Sequence, residues 1–546
     1  MGLLIISYRF LYLIVIATFC WSCQKAEDPT VLDDTTQTEI NQGNLYYVDL
    51  EGESLYDVFM IESLQGNVNR TSPLIWVLKT PIVEYDGPSD MVDRSFWLNT
   101  ITDTEKISFE DPFVMVRDFA DYIDGCVIYE NTLFGNYKSG ARYPQPMDNV
   151  VARLNATAML CAKYNAVALT NEQHETLIDK YDVELPILAN TTTDEFSNWV
   201  STYRYIYNNF GENFSTEMMA NNSHYCLGMF DFLIKNKMFI INIKGNPTTL
   251  EQNLTDKILS HCLSPSPVFG VWNVAGGTPN EDSYQKYLNS QGKYAIVNFE
   301  AFNLSYTSSL PKYVPEKSET IRNLEFDPGK KYICFTETDG DNYEFIQQIF
   351  PKKFEVLGRK SYPIGWEIPS TLCELDPIAA KWFFNNIGDN CFVNPVTGAG
   401  YYKYILPEQY LDDYFALTDS YMKDSKYRAI RTMWYNFENA RPLTEIPSVE
   451  GVFCGYGHNA PDRPSIVNNS QTHELYNGKP IFINYSYTDI NEIINYNGQS
   501  PAFFSVACVY THPSDVINSI NSLSDDWIVV SPGEMIDIYK QYSQGQ

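Results

Sequence analysis

Histidine is scarce in this chain: six residues among 546, at 174, 224, 261, 458, 473 and 512, with no two spaced as i and i+4. A histidine-rich metal centre needs imidazoles gathered on one helix face or loop, so none is expected. Basic residues are also few, 38 Lys and Arg against 68 Asp and Glu, for a net charge of −30. So acidic a surface repels phosphate backbones and anionic lipids, which argues against nucleic acid as a partner. The eleven cysteines lack paired spacing. Setting Cys20 and Cys23 aside leaves an odd number with no Cys-x-x-Cys, which argues against a disulfide framework and a zinc site. Cys334, Cys391, Cys454 and Cys508 fall in apolar runs and read as small core residues. Beyond residue 22 no run approaches the roughly 20 apolar residues of a membrane-crossing helix.

What the first 22 residues do contain is an export signal: Arg9, an apolar core from Phe10 to Phe19, and Ser22-Cys23 as a small-residue cleavage point. Cysteine at the cut predicts lipidation of Cys23, although Cys20 and Trp21 depart from the usual lipobox. Gln24-Lys25-Ala26-Glu27-Asp28 resembles the short charged tag of surface lipoproteins of the Bacteroides group. Residues 23–43 then read as a tether. The expectation is an exported bacterial outer-membrane lipoprotein, at the cell surface or the periplasmic face, whose membrane contact is confined to an N-terminal lipid anchor.

Aromatic residues make up 15% of the chain, and most must fill cores, although exposed rings also stack on sugars. Residues 44–205 alternate strand and helix: Leu45–Leu50, a helix to Leu64, Leu74–Leu78, Gly125–Tyr129, and an Ala- and Leu-rich helix over Val150–Tyr164. Residues 206–322 continue this α/β style and end in a Pro-, Ser- and Glu-containing linker at 308–320. From 325 to 546 eight strand candidates follow, at 331–336, 361–367, 390–394, 428–435, 451–455, 480–485, 502–508 and 526–531, with helical patterns in most gaps. The expected fold class is α/β, with N-terminal α/β domains followed by a C-terminal (β/α) barrel-like domain, and a doubly wound open sheet as the alternative.

In either architecture the active site lies at the C-terminal ends of the strands, and there the chain gathers acids, amides and aromatics. Glu337, Asp339, Asp341 and Asn342 follow the first strand, Trp366 and Glu367 end the second, and Asn394 with Gly398-Ala399-Gly400-Tyr401 follows the third. The fourth gives Trp434 and Glu438, the fifth Tyr456 and His458, the sixth Asn484 and Tyr485, the seventh His512, and the eighth Glu534. Carboxyls so placed can act as acid and as base or nucleophile, while rings and amides hold a sugar. Asp339, Asp341, Glu367 and Glu438 are the candidate catalytic carboxyls. Asn342, Trp366, Gly398, Gly400, Tyr401, Trp434, Tyr456, His458 and His512 are the candidate substrate contacts.

Gly398-Ala399-Gly400-Tyr401 with Tyr402, Tyr404 and Pro407 resembles the GxGYxYP family of glycoside hydrolases. Asp339-Gly340-Asp341-Asn342 looks like that family's acidic strand-end motif, and Leu64-Gln65-Gly66-Asn67-Val68-Asn69-Arg70 is similar to its N-terminal signature. Lys403 stands where the motif has its second tyrosine and Tyr404 where it has proline. The resemblance implies a hydrolase that cleaves glycosidic bonds of a poly- or oligosaccharide by carboxylate acid/base chemistry, without a cofactor. Two alternatives remain open. A deacetylase-like enzyme would recruit a divalent metal to Asp339, Asp341 and His512 or His458, and a surface glycan-binding protein would have no chemistry.

Overall fold

The computed structural model describes residues 30–31, 38–80, 91–134, 148–223, 227–272, 279–298, 300–358, 362–434, 436–455, 466, 472–509 and 511–545. Cys23, Tyr456 and His458 lie outside the described residues. The expected α/β class is present, as three small parallel sheets and one barrel.

The first sheet has the order β1-β4-β2-β3, from Thr30–Val31 (β1), Leu45–Asp49 (β2), Ile75–Leu78 (β3) and Lys106–Phe109 (β4). β1 falls within the stretch expected to be a tether and pairs with β4. The second sheet joins Gly125–Tyr129 (β5), Ala166–Thr170 (β6) and Ile187–Asn190 (β7), so residues 44–205 carry two sheets. Met219–Asn221 (β8), Phe239–Ile241 (β9), Ser266–Gly270 (β10) and Lys293–Ile296 (β11) form the third, in the order β11-β10-β8-β9. Most of these strands are short apolar runs buried on both faces, as parallel strands under helices must be.

The Leu64–Arg70 signature stitches these sheets together. Gly66, in the last turn of the helix Leu55–Val68, lies so close to its neighbour that a Cβ would come 2.5 Å from the Asp231 carbonyl oxygen. Asn67 Nδ2 donates to the Ala166 carbonyl at 2.8 Å, and Arg70 donates to the Ile234 carbonyl at 2.8 Å. Asn69 accepts from the backbone N–H groups of Leu74 and Ile75 at 2.9 Å and donates to Ser305 Oγ at 3.0 Å. Each polar group in this buried seam would be costly if left unpaired, which explains the density of amides.

All eight strand candidates of the C-terminal region are strands: Lys331–Glu337 (β12), Gly365–Glu367 (β13), Cys391–Val393 (β14), Ala429–Thr432 (β15), Gly451–Cys454 (β16), Lys479–Ser486 (β18), Ala502–Ala507 (β19) and Trp527–Val529 (β20). His473–Tyr476 (β17) adds an antiparallel hairpin arm to β18. Seven strands run in the order β14-β13-β12-β19-β18-β16-β15. The ends of this series meet: Asn394 N donates to the Ala429 carbonyl at 3.0 Å and Arg431 N to the Asn394 carbonyl at 2.9 Å. The barrel therefore closes on seven strands. β20 takes no place in the ring; it pairs with the lower half of β12, on the edge whose upper half pairs with β13.

The helix Pro532–Gln544 closes the floor. Its Met535, Ile536, Ile538 and Tyr539 pack with the inward residues Tyr332, Phe453, Phe482 and Phe503. Inward Gly365 makes room for Pro532, since a Cβ there would approach the proline ring to 2.6 Å. Ser531 and Glu534 form the capping box of this helix, and Glu534 pairs with Arg322. Glu534 therefore belongs to the floor assembly and is set apart from the acids of the mouth. The 308–320 segment, expected as a linker, is partly docked. Ser318 accepts from Phe392 N at 2.9 Å through its carbonyl, and Glu319 pairs with Arg428 at 2.8 Å. Its composition gave no sign of these two anchors.

Candidate active site

The fully buried β12 ends in Thr338-Asp339-Gly340-Asp341 at the barrel mouth. Asp339 has φ 80°, a conformation that aspartate tolerates better than most residues. Gly340 is required: a Cβ on it would lie 1.6 Å from the Glu367 carbonyl oxygen. The turn is thus pressed onto the end of β13, where Asp339 N donates to Glu367 Oε2 at 3.1 Å.

Glu367 points into the barrel and is ion-paired with Arg431 from β15, both side chains being fully buried. Arg431 Nε donates to the Gly455 carbonyl at 3.2 Å, and Asn484 Nδ2 donates to the same oxygen at 3.1 Å. Ser505 Oγ donates to Asn484, and Cys334 Sγ lies 3.3 Å from Ser505 Oγ. A polar layer therefore spans the barrel above its aromatic floor and holds the Asp339–Asp341 turn from below. With Arg431 on one carboxylate oxygen and Asp339 N on the other, Glu367 is committed to holding this geometry.

Asp341 lies on the same turn and is only partly buried, yet its Oδ1 is buried and has no hydrogen-bond partner. Burial first, and then the neighbouring Asp339 carboxylate, push its carboxyl up to about 8, against the pull of Arg431; Glu281 adds to the rise. Near neutral pH Asp341 therefore carries its proton, as a general acid must. Asn342 is not directed at a ligand: its Oδ1 caps the helix Tyr343–Gln348, accepting from Glu344 N at 3.0 Å. Glu337, the third acid of the motif, points outward and pairs with Lys353 at 3.2 Å. The strand ends at Glu337, and the turn that follows, with Asp339 at φ 80°, carries the other two acids away from it.

Other candidates fall elsewhere. Trp366 is fully buried among Phe350 and Phe354 on the helix side of β13, so it cannot be a sugar platform. Its neighbour Glu367 faces inward, and adjacent strand residues face opposite ways. Gly398 and Gly400 serve close packing: a Cβ on Gly398 would approach Thr418 Oγ1 to 2.5 Å, and one on Gly400 the Tyr294 ring to 2.5 Å. Gly400 thereby docks the loop on the third sheet, where Ala295 and Tyr401 exchange backbone bonds of 2.8 and 2.7 Å. Tyr401 is 3% exposed, with Trp272 against its ring and its hydroxyl donating to Glu281. No face of it is open for stacking.

Trp434 is half-buried against Tyr402 and donates to the Lys403 carbonyl at 2.9 Å. His512 is exposed and caps the helix Pro513–Asn521 through Nδ1. Glu438 is exposed on the short helix Phe437–Ala440, and Arg441 is the charged neighbour it acts on. Among the described residues no three His, Cys, Asp or Glu side chains converge in a way that could hold a metal ion. The residues missed at the sequence level are Arg431 and Glu281. Arg431 left a signal, a charge inside the apolar strand Ala429–Thr432, which cannot be buried without a partner. Glu281 left none, because it reaches the site from another domain.

Residues 329–540 match the family described as "GxGYxYP putative glycoside hydrolase C-terminal domain", and residues 216–309 match the "GxGYxYP third domain". No curated protein matches the chain. Among solved structures, one described as a putative hydrolase from Bacteroides thetaiotaomicron VPI-5482 is similar in fold. It has a TM-score of 0.74 and 16% identity, over 93% of this chain and 98% of that one. A mutant of the peptidoglycan deacetylase PdaC from Bacillus subtilis also aligns, at a TM-score of 0.23 and 12% identity over 40% of this chain and 96% of that one. A likeness that low bears on neither fold nor chemistry.

Proposed function

Because the chain belongs to the GxGYxYP family, whose two matched regions together span most of residues 216–540, we propose that it is a glycosidase acting on a poly- or oligosaccharide. Asp341 is the general acid that protonates the leaving oxygen. Asp339, on the same turn and partly exposed, is the partner carboxylate, as base or nucleophile. Glu367 and Arg431 hold that turn in place, and exposed Glu438 has no part. What supports this reading is the placement of Asp341: its Oδ1 is buried without a hydrogen-bond partner, on the same turn as Asp339, a setting that favours the protonated form. Two carboxyls held in unlike states are what glycosidic cleavage requires. The reaction needs no metal in this scheme. Lipidation of Cys23 would tether the enzyme to the outer membrane, where a polymer too large to enter the cell is met.

The test is digestion of a glycan library by the wild type and by Asp341→Asn and Asp339→Asn, with product anomers followed by NMR. Release of reducing ends by the wild type, reduced at least about 100-fold in each variant, is expected. The anomer formed assigns retention, for carboxyls about 5–5.5 Å apart, or inversion, for about 6.5–9.5 Å. Activity abolished by a chelator, or equal in all three proteins, would overturn the scheme.

A further inference from the structure

We propose that the protein carries a second sugar site apart from the barrel mouth: a groove along the outer stripe of the helix Pro377–Asn385 that takes a short stretch of neutral polysaccharide. Binding there needs no cleavage, so it stands apart from the reading of Asp341 as an acid.

Three stretches of chain meet at this groove: residues 100–104 between β3 and β4, residues 306–314 ahead of the barrel, and that helix with Asn386. It encloses about 510 Å³, within the roughly 300–1,000 Å³ of sites that hold a small molecule. None of the residues described around Asp341 lines it. Its walls are fastened to one another. Tyr313 N donates to the Cys373 carbonyl at 2.8 Å, and Thr307 Oγ1 donates to the Leu375 carbonyl at 2.8 Å. Trp97, just ahead of the first stretch, packs edge-on with Trp382, ring centres 5.9 Å apart. A ligand therefore meets a groove already formed and need not order it.

Ala379, Ala380 and Phe383 of the helix are buried. Ile378, Lys381, Trp382 and Asn385, at i, i+3, i+4 and i+7, make the opposite stripe, and all four line the groove. On a surface helix that stripe is ordinarily polar. Here it holds a tryptophan and an isoleucine, both only partly buried. The four described rings around Trp382 meet it at 64° to 88°, so none of them lies flat on it. Val314, which also lines the groove, is 61% exposed. Apolar surface gathered in one concave place favours a ligand that covers it.

The polar lining narrows the class of ligand. Asp103 is the one acid among the described residues of the lining, in a chain that has 68 acids. Lys312 is already paired, with Asp424 at 2.8 Å and Glu374 at 3.7 Å. That leaves Asp103 and Lys381, one charge of each sign, and no surplus to attract an anion or a cation. Asn385, Thr102 and Thr104 supply an amide and hydroxyls, which both donate and accept. Sugar hydroxyls do the same, while the C–H face of a pyranose packs on Trp382 and Val314 as any apolar surface would. A peptide is a poorer occupant, because the described walls are helix and loop, with no strand edge to pair its backbone.

Affinity electrophoresis of the intact protein, in native gels with and without dextran, xylan, galactomannan or mixed-linkage β-glucan, tests this. At least one of these polymers should retard the wild type. Val314→Asp and Asn385→Ala, both at exposed positions where folding is not at stake, should each weaken that binding at least about fivefold, the effect of one lost contact. Asp341→Asn should be retarded like the wild type. Reducing-end release, at whatever rate the wild type shows, should be unchanged in the two groove variants. Retardation of the wild type by none of the polymers would overturn the proposal. Equal retardation of wild type and groove variants, or its loss in Asp341→Asn, would overturn it too, since binding would then lie at the mouth alone. Self-association of the wild type that Val314→Asp abolishes, without retardation by any polymer, would make the groove a contact between copies and likewise overturn it. Groove-dependent retardation with no reducing ends released would defeat only the glycosidase reading.

Discussion

Arg431 and Glu367 offer the sharpest test of how the Asp339–Asp341 turn is held. Replacing Arg431 by Met keeps much of its volume but leaves Glu367 fully buried beside Asp339 N without its cation. Removing one partner of a buried pair costs about 3–5 kcal/mol, because the remaining charge has lost both water and counterion. The Gly455 carbonyl keeps Asn484 as a donor, so little further cost is expected from that side. For a domain of this size, about 3–5 kcal/mol corresponds to a fall in the barrel's melting temperature of roughly 6–20 °C. Scanning calorimetry is the suitable assay, since the N-terminal sheets can give a transition of their own. The double variant Arg431→Met with Glu367→Gln removes both charges and should recover at least half of the loss, because a neutral amide tolerates burial better. A single variant that melts within about 2 °C of the wild type, or a double variant less stable than the single, would refute the account of a charge pair bracing the turn.

Three further outcomes are expected. Asp341 has a folded-state pKa raised above its ordinary value to about 8, so the folded protein binds the proton more tightly and loses stability as pH rises from about 4 to 8. Asp341→Asn should therefore be more stable than the wild type at pH 8 by about 1–3 kcal/mol, a range reduced for its partial solvent access, and equal to it near pH 4, as read by denaturant titration at both values. Gly400→Ala places a Cβ 2.5 Å from the Tyr294 ring and should destabilise by about 1–3 kcal/mol, with limited proteolysis cutting the 398–404 loop sooner. Trp366→Ala should cost about 3–5 kcal/mol in thermal unfolding, as a core truncation; preserved stability with weakened glycan binding would mean that the ring faces ligand after all.

Much of the barrel was legible because parallel strands covered on both faces appear as short unbroken apolar runs between helical patterns. Where β20 sits was not legible. Its composition matches that of the ring strands, and only pairing with the lower half of β12 sets it apart. The split of residues 44–205 into two sheets was hidden in the same way, since β4 and β5 look alike locally. In the site, the glycines at 398 and 400 read as substrate contacts in the sequence, whereas in the fold they allow close approach to a threonine and a tyrosine ring, as Gly340 does to a carbonyl. Trp366 was misplaced although the means to place it were at hand. In a strand it cannot share a face with Glu367, so assigning both to the mouth was inconsistent with a period of two. The acids of this segment part where the strand stops: Glu337, on β12, pairs with Lys353, while Asp339 and Asp341 leave with the turn that follows.

The helix beneath the barrel has a consequence for assembly. Lys331 finds its neighbours in Ala502 and Trp527, and Gly451 meets Ile536, so the barrel's first strand must wait for its last elements. Contacts this distant along the chain form late and slowly. Until they form, Tyr332, Phe482 and Phe503 are an uncovered aromatic ring, and a chaperone meeting the unfinished barrel would find a foothold there.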